Sequence, residues 1–369
     1  MTVDRRTFLG ASSALLAGAA AAVQSEASAS DKPTKGKRKE FRRIATEEAF
    51  SIPEQLEAMS WLARSNWSSL DLELWRGRTA DSPMTKRLDL EGERLKIMDE
   101  NGVSMHVLSL TSPGVQMLDA DTATAIATIA NDRLAETIRR HPTRFAGLAT
   151  FAPQDPKRAV KEMERAINEL KLNGFILNSH TNNEYLDNQK YWPILEAAEA
   201  LDRAIYIHPR SPSDGMVGPY RDYGLDRAIW GYGAETGLHA VRMILGGVFD
   251  RFPKLKIVLG HMGESIPFNL WRLNYMYHNN KGRRSPVLKT DPHDTFKRNF
   301  AITTSGVESH AALKYCIEVL GVDSIMWAID YPYQPTTPAV EFMNTAPVSD
   351  ADKEKLFHGN AERIFHIKT

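Results

Sequence analysis

From residue 43 onward the chain alternates between two rhythms. Short β-branched or apolar runs, each closed by turn-forming or polar residues, recur between longer stretches whose apolar positions return every three or four residues. The short runs predict eight strands, at 43–47, 105–110, 145–151, 174–178, 204–208, 256–261, 300–304 and 325–330. The longer stretches predict helices at 90–101, 122–140, 156–170, 192–200, 233–251, 265–278 and 308–320, with a last one at about 349–364. Strand and helix in strict alternation imply a parallel sheet with crossover helices, and eight strands is the number that closes a (β/α)8 TIM barrel.

Two features favour the closed barrel over an open doubly wound sheet. No Gly-x-Gly-x-x-Gly follows an early strand, so the dinucleotide fingerprint is missing. Polar residues stand at the carboxyl ends of strands spread through the whole sequence, as a circular active face requires. The stretch 51–87, with Trp61, Trp67, Trp75 and several arginines, reads as an insertion after strand one that folds over the barrel mouth.

The first forty residues follow neither rhythm. Arg5 and Arg6 precede Thr7-Phe8-Leu9 and a short alanine-rich run to Val23, the pattern of a twin-arginine signal. Residues 1–29 are therefore expected to be an export leader, 30–41 a polar linker, and 42–369 the barrel, with a periplasmic destination and a cytoplasmic one as the alternative. The apolar run is too short to serve as a permanent membrane anchor. Charge changes the picture little: 46 basic and 46 acidic side chains in 369 residues give no field for nucleic acid, which leaves a small molecule as the expected partner. The single cysteine, Cys316, excludes an internal disulfide and falls in a helical pattern as a packing residue.

Four strand ends carry the candidate chemistry. Glu47 closes Ile44-Ala45-Thr46, His208 closes Ile205-Tyr206-Ile207, His261 follows Ile257-Val258-Leu259-Gly260, and Asp330 closes Met326-Trp327-Ala328-Ile329. An ionisable group at the end of an apolar strand is costly unless a cation or a partner compensates it. Two carboxylates and two imidazoles converging on one barrel face point to a metal site. Glu264, three residues after His261, either orients that imidazole or caps the next helix. Arg272 and Arg210 are either substrate contacts or ordinary surface cations, and His180, just past strand four, is either a substrate contact or structural. Arg76, Arg78 and Arg87 could each reach the site from the insertion.

These segments, with Leu177-Asn178-Ser179-His180, Ile302-Thr303-Thr304-Ser305-Gly306 and Gly359-Asn360-Ala361-Glu362-Arg363, resemble the amidohydrolase superfamily. The branch they look most like is that of 2-amino-3-carboxymuconate semialdehyde decarboxylase, and within it the 5-carboxyvanillate, 2,3-dihydroxybenzoate and γ-resorcylate decarboxylases. The similarity runs from about residue 42 to the C-terminus. It implies that Glu47, His208 and Asp330 bind one divalent metal, that Asp330 also carries a proton to the substrate, and that His261 and Glu264 act in catalysis. It further implies substrate contacts from Arg272, Arg210 and His180, a small aromatic acid as substrate, no organic cofactor, and a homo-oligomer, dimer or tetramer. Many relatives carry a further ligand two residues after the first; Ala49 stands there in this chain. Three protein ligands rich in oxygen suit Mn²⁺ or Mg²⁺ better than a closed Zn²⁺ site, and Mn²⁺ is the expected ion. The implied reaction is non-oxidative decarboxylation of a hydroxylated benzoate. The alternative is hydrolysis of a lactone or amide, with Asp330 activating water.

Overall fold

The computed structural model describes residues 41–65, 69–73, 75 and 84–368. The leader, the linker, Trp67, Arg76 and Arg78 lie outside the described residues. Eight parallel strands run in the order β1-β2-β3-β4-β5-β6-β7-β8. They are Ile44–Phe50, Met105–Leu110, Phe145–Thr150, Gly174–Asn178, Ile205–His208, Ile257–Leu259, Phe300–Thr303 and Ile325–Met326. Thr46 and Ala49 of β1 donate backbone hydrogen bonds to Trp327 and Tyr331, just beyond β8, which brings the two edges of the sheet together into a nearly closed barrel.

Strand alternation sorts the side chains. Ile44, Val107, Leu148, Ile176, Tyr206, Val258 and Met326 pack inside the barrel, where Phe365 and Ile367 from the C-terminal segment join them. Their strand neighbours, among them Ala45, Leu108, Ile205, Ile207 and Ile302, face the surrounding helices. The lumen is thus a packed plug rather than a pore, and the top of that plug is the Tyr206 hydroxyl.

Helix starts follow local chemistry. Asp119 accepts from the amides of Asp121 and Thr122 at the head of Ala120–Arg140, and Asp155 caps Pro156–Asn168, where proline occupies the first turn. The predicted helix 233–251 is in fact Gly231–Leu245 and Val248–Arg251, because Gly247 takes a φ of 79° between them. The insertion folds as Pro53–Arg64, Leu70–Glu73 and Met84–Leu88, and two short helices, Pro292–Asn299 and Thr336–Asn344, fall where the sequence pattern predicts loop.

Two departures from ideal geometry shape the site. Along β1, Ala45 pairs with His106 but Glu48 pairs with Leu108, so one extra residue is accommodated between them. Such a bulge re-aims side chains, and here it presents Glu47 to the lumen and Glu48 toward the end of β8. The second departure is at β8, predicted to run to residue 330. The ladder stops at Met326, and Asp330 adopts a φ of 76° that no strand residue could hold.

Candidate active site

Glu47 is the floor of the site. Its Oε2 accepts hydrogen bonds from the hydroxyls of Tyr206, Ser305 and Thr303, the last at 2.9 Å. Its Oε1 is buried and has no hydrogen-bond partner. Burial opposes its charge, but His261, His208 and the hydroxyls outweigh that and hold the carboxyl below its usual range. A buried, ionised oxygen with nothing to bind it is stable only opposite a cation.

The other two donors face that oxygen. His208 Nδ1 lies 2.8 Å from the Pro209 carbonyl, which places a proton on Nδ1 and turns Nε2 toward the site, 3.6 Å from Glu47 Oε1. Ligand atoms of Glu47, His208 and Asp330 all lie within 4.8 Å of one another. Two carboxylates and an imidazole make a donor set of oxygen, oxygen and nitrogen that suits a single dication. Burial raises the proton affinity of Asp330, the His261 contact lowers it, and the Glu47 charge raises it again, for a net upward shift.

His261 sits on the opposite side. Its Nδ1 is 2.9 Å from Glu264 Oε1, and its Nε2 is 3.9 Å from both Glu47 Oε1 and Asp330 Oδ2. Burial disfavours its charge, but Glu264, Glu47 and Asp330 overcome that and lift its pKa well above the ordinary value. Glu264 thereby favours the protonated form of His261. Backbone from His261 to Ser265 is left-handed throughout, with φ between 50° and 77°. The tight path brings Gly260 so close to Glu47 that a Cβ there would stand 2.7 Å from Oε2.

Of the two readings of Glu264, the structure presents its carboxylate to His261; Ser265, not Glu264, precedes the helix Ile266–Asn280.

His208, Asp330 and His261 line a cavity of about 330 Å³, walled also by Trp75, Arg87, Arg227, Tyr232 and Tyr333. That volume suits a substituted benzene ring. A larger cavity of about 450 Å³ lies at the opposite, amino-terminal end of the strands beside Ala204, Ile257 and Phe300. The donor set, not the volume, locates the chemistry.

Among the described residues, Arg87 is the insertion arginine that reaches the cavity. It is 1% exposed, Nη1 bonds the Tyr333 hydroxyl at 2.7 Å, and Nε and Nη2 have no partner. Arg210, His180 and Arg272, expected to touch substrate, do not line the cavity in this chain. Arg210 is buried and committed to Asp71, at 2.5 Å, and to the His180 carbonyl. The His180 ring rests against the Ser211 carbonyl, and burial together with Arg210 pushes its pKa down to about 2. Arg272 lies on the exposed side of the helix Ile266–Asn280.

Sequence reasoning did not single out the hydroxyl cradle. Tyr206 stands two residues before His208 and Thr303 two before Ser305, the strand period that puts each pair on one face. That spacing was the available signal.

A parallel eight-stranded barrel with an ionisable set at the carboxyl ends of β1, β5, β6 and β8 defines a metal-dependent enzyme of the amidohydrolase class. Residues 72–367 match the family described as "Amidohydrolase", and the chain belongs to that family. It is 55% identical to the crystal structure of 5-carboxyvanillate decarboxylase from Sphingomonas paucimobilis, with a TM-score of 0.87 over 89% of this chain and 100% of that one. It is 39% identical to 5-carboxyvanillate decarboxylase from Novosphingobium aromaticivorans, solved with manganese and 4-hydroxy-3-methoxy-5-nitrobenzoic acid, with a TM-score of 0.86 over 90% of this chain and 97% of that one. γ-Resorcylate decarboxylase from a Polaromonas species is 34% identical over 88% of this chain and 98% of the relative.

Proposed function

We propose that this protein is a metal-dependent carboxy-lyase that removes CO₂, without oxidation, from a hydroxylated benzoate of the 5-carboxyvanillate type. One observation carries the reading: Glu47 Oε1, His208 Nε2 and the Asp330 carboxylate converge beside His261 at a ring-sized cavity that His208, Asp330 and His261 line. The similarity to decarboxylases solved with manganese and a hydroxybenzoate supports the same reading.

Glu47, His208 and Asp330 would hold Mn²⁺, which when bound would supply positive charge to stabilise the negative charge of an ortho-hydroxybenzoate as it develops on the ring. The chain's residues do the rest. His261, kept protonated by Glu264, faces the departing carboxylate as a fixed cation. Asp330 receives the phenol proton as substrate docks and delivers it to the ring carbon. The bond from that carbon to the carboxylate breaks, CO₂ leaves, and the carbon keeps the delivered proton. Arg87, a cation lining the cavity, would receive a further carboxylate of the ring.

The test is to give the Mn²⁺-loaded protein a panel of ortho-hydroxybenzoates and aryl lactones, following the ultraviolet spectrum and CO₂ release. Stoichiometric CO₂ from a hydroxybenzoate is expected; a ring-opened lactone product without CO₂ would sink the lyase reading.

The proposal extends to two properties of the whole chain. A reporter fused behind residues 1–29 is expected to leave the cytoplasm only in cells with a working twin-arginine translocase; export without one argues against the leader. Phe268, Trp271 and Tyr275 form an exposed aromatic face that a second copy of the chain would cover, so sedimentation is expected to return a dimer or larger and not a monomer.

A further inference from the structure

Glu48 has no place in the chemistry above, yet it is fully buried beside it. Its Oε1 accepts a hydrogen bond from the amide of Ile329 and its Oε2 one from the amide of Tyr331, both at 3.0 Å. Those two amides flank Asp330. They also lie beyond the end of the β8 ladder, where no strand supplies carbonyl partners. One side chain from β1 therefore replaces the missing ladder on both sides of a metal-ligand residue whose left-handed φ of 76° is unfavourable for a side chain other than glycine.

Arg94 is also fully buried; its Nη2 donates to the Ala49 carbonyl at 2.6 Å, and its guanidinium lies 4.6 Å from the centre of the Tyr331 ring. Arg94 thus grips the residue after Glu48 and the residue after Asp330 together. The bulge in β1 makes this possible, because it sends two adjacent acidic side chains to different tasks. Glu47 offers an oxygen to the site, and Glu48 fixes the backbone that presents the second carboxylate.

We propose that Glu48 is a positioning residue of the metal centre: by bracketing Asp330 from the strand that carries Glu47, it sets the separation of the two carboxylates to that of one divalent cation. The inference rests on reading Glu47, His208 and Asp330 as metal ligands. A bracket of this kind acts before any substrate arrives, so its removal weakens metal binding as well as turnover.

The experiment is a Mn²⁺ titration of metal-free protein, with free ion followed by its electron paramagnetic resonance signal, on the unaltered chain and on Glu48→Gln. A carboxamide keeps one acceptor and turns an N–H toward the other amide, so one of the two bonds is lost. The expected result is Mn²⁺ affinity weakened about tenfold or more, and kcat lowered about a hundredfold with KM little changed. Glu48→Asp keeps both acceptors on a shorter arm, so it is expected to retain more affinity, and it serves if the amide variant does not fold. Phe365→Leu, at the far end of the barrel, controls for stability alone: it should melt earlier and bind Mn²⁺ as the unaltered chain does. Unchanged Mn²⁺ affinity in a folded Glu48 variant overturns the proposal. Failure of the unaltered protein to bind Mn²⁺ at all would instead strike the metal reading beneath it.

Discussion

Arg87 shows how much a single side chain can say once its surroundings are known. A buried guanidinium with two nitrogens unbonded among the described residues is an unmet demand for a partner, and Arg87 lines the cavity where an anionic ring would sit. Arg87→Met is expected to raise KM for the aromatic acid about tenfold to a hundredfold, with a smaller change in kcat, since a charged hydrogen bond to the bound ring is lost. An unchanged KM in steady-state assays would remove Arg87 from the substrate's contacts. The sequence brought Glu47, His208, His261 and Asp330 to notice because each interrupts an apolar strand at its end. It could not choose Arg87 from three insertion arginines, since that choice depends on where Tyr333, 246 residues away, meets the loop. Arg210 was misleading for the same reason: its partner Asp71 is 139 positions distant, and no local pattern announces the pair.

At the scale of elements, the strands were legible and their ends were not. Alternation of inward and outward side chains marks a strand, but the last residue of a ladder is decided by what the neighbouring strand offers. The sequence pattern therefore runs β6 to 261 and β8 to 330, while the hydrogen bonding ends at Leu259 and Met326. Both shortfalls are functional, because a residue released from the ladder can turn its side chain across the mouth. Gly260 occupies one such turn, at φ −72°, a conformation that alanine also adopts. The constraint is space: an alanine Cβ would press against Glu47 Oε1 at 2.8 Å and the Tyr206 hydroxyl at 3.1 Å. Gly260→Ala is thus expected to fold and to bind Mn²⁺ about tenfold more weakly or worse. Retention of full affinity, measured by calorimetry, would mean that Glu47 tolerates displacement.

For the molecule as a whole, the buried imidazoles set the acid limit. His239 accepts a hydrogen bond at Nε2 from the Leu186 amide, and burial, with His180 and Arg242 nearby, lowers its pKa from 6.5 to about 3. The unfolded chain takes up that proton below about pH 6.5 and the folded chain does not, so this group contributes stability at neutral pH that is lost as pH falls. The slope is about 1.4 kcal/mol per pH unit between the two pKa values. Denaturant unfolding of the metal-free protein at several values between pH 6 and pH 4 should therefore show a shallower pH dependence in His239→Gln by about that amount; parallel curves would refute it. The barrel as a class was readable from eight alternations. The helices Pro292–Asn299 and Thr336–Asn344 were not, because they are short and owe their existence to the barrel wall they pack on.

The hydroxyls of Tyr206, Thr303 and Ser305 have a consequence for how the ion enters. All three hold the same oxygen of Glu47, so the carboxylate is already turned with its other oxygen outward in the metal-free chain. Glu47 therefore needs no reorientation to meet an ion, and the ordering cost of that one ligand is met when the chain folds.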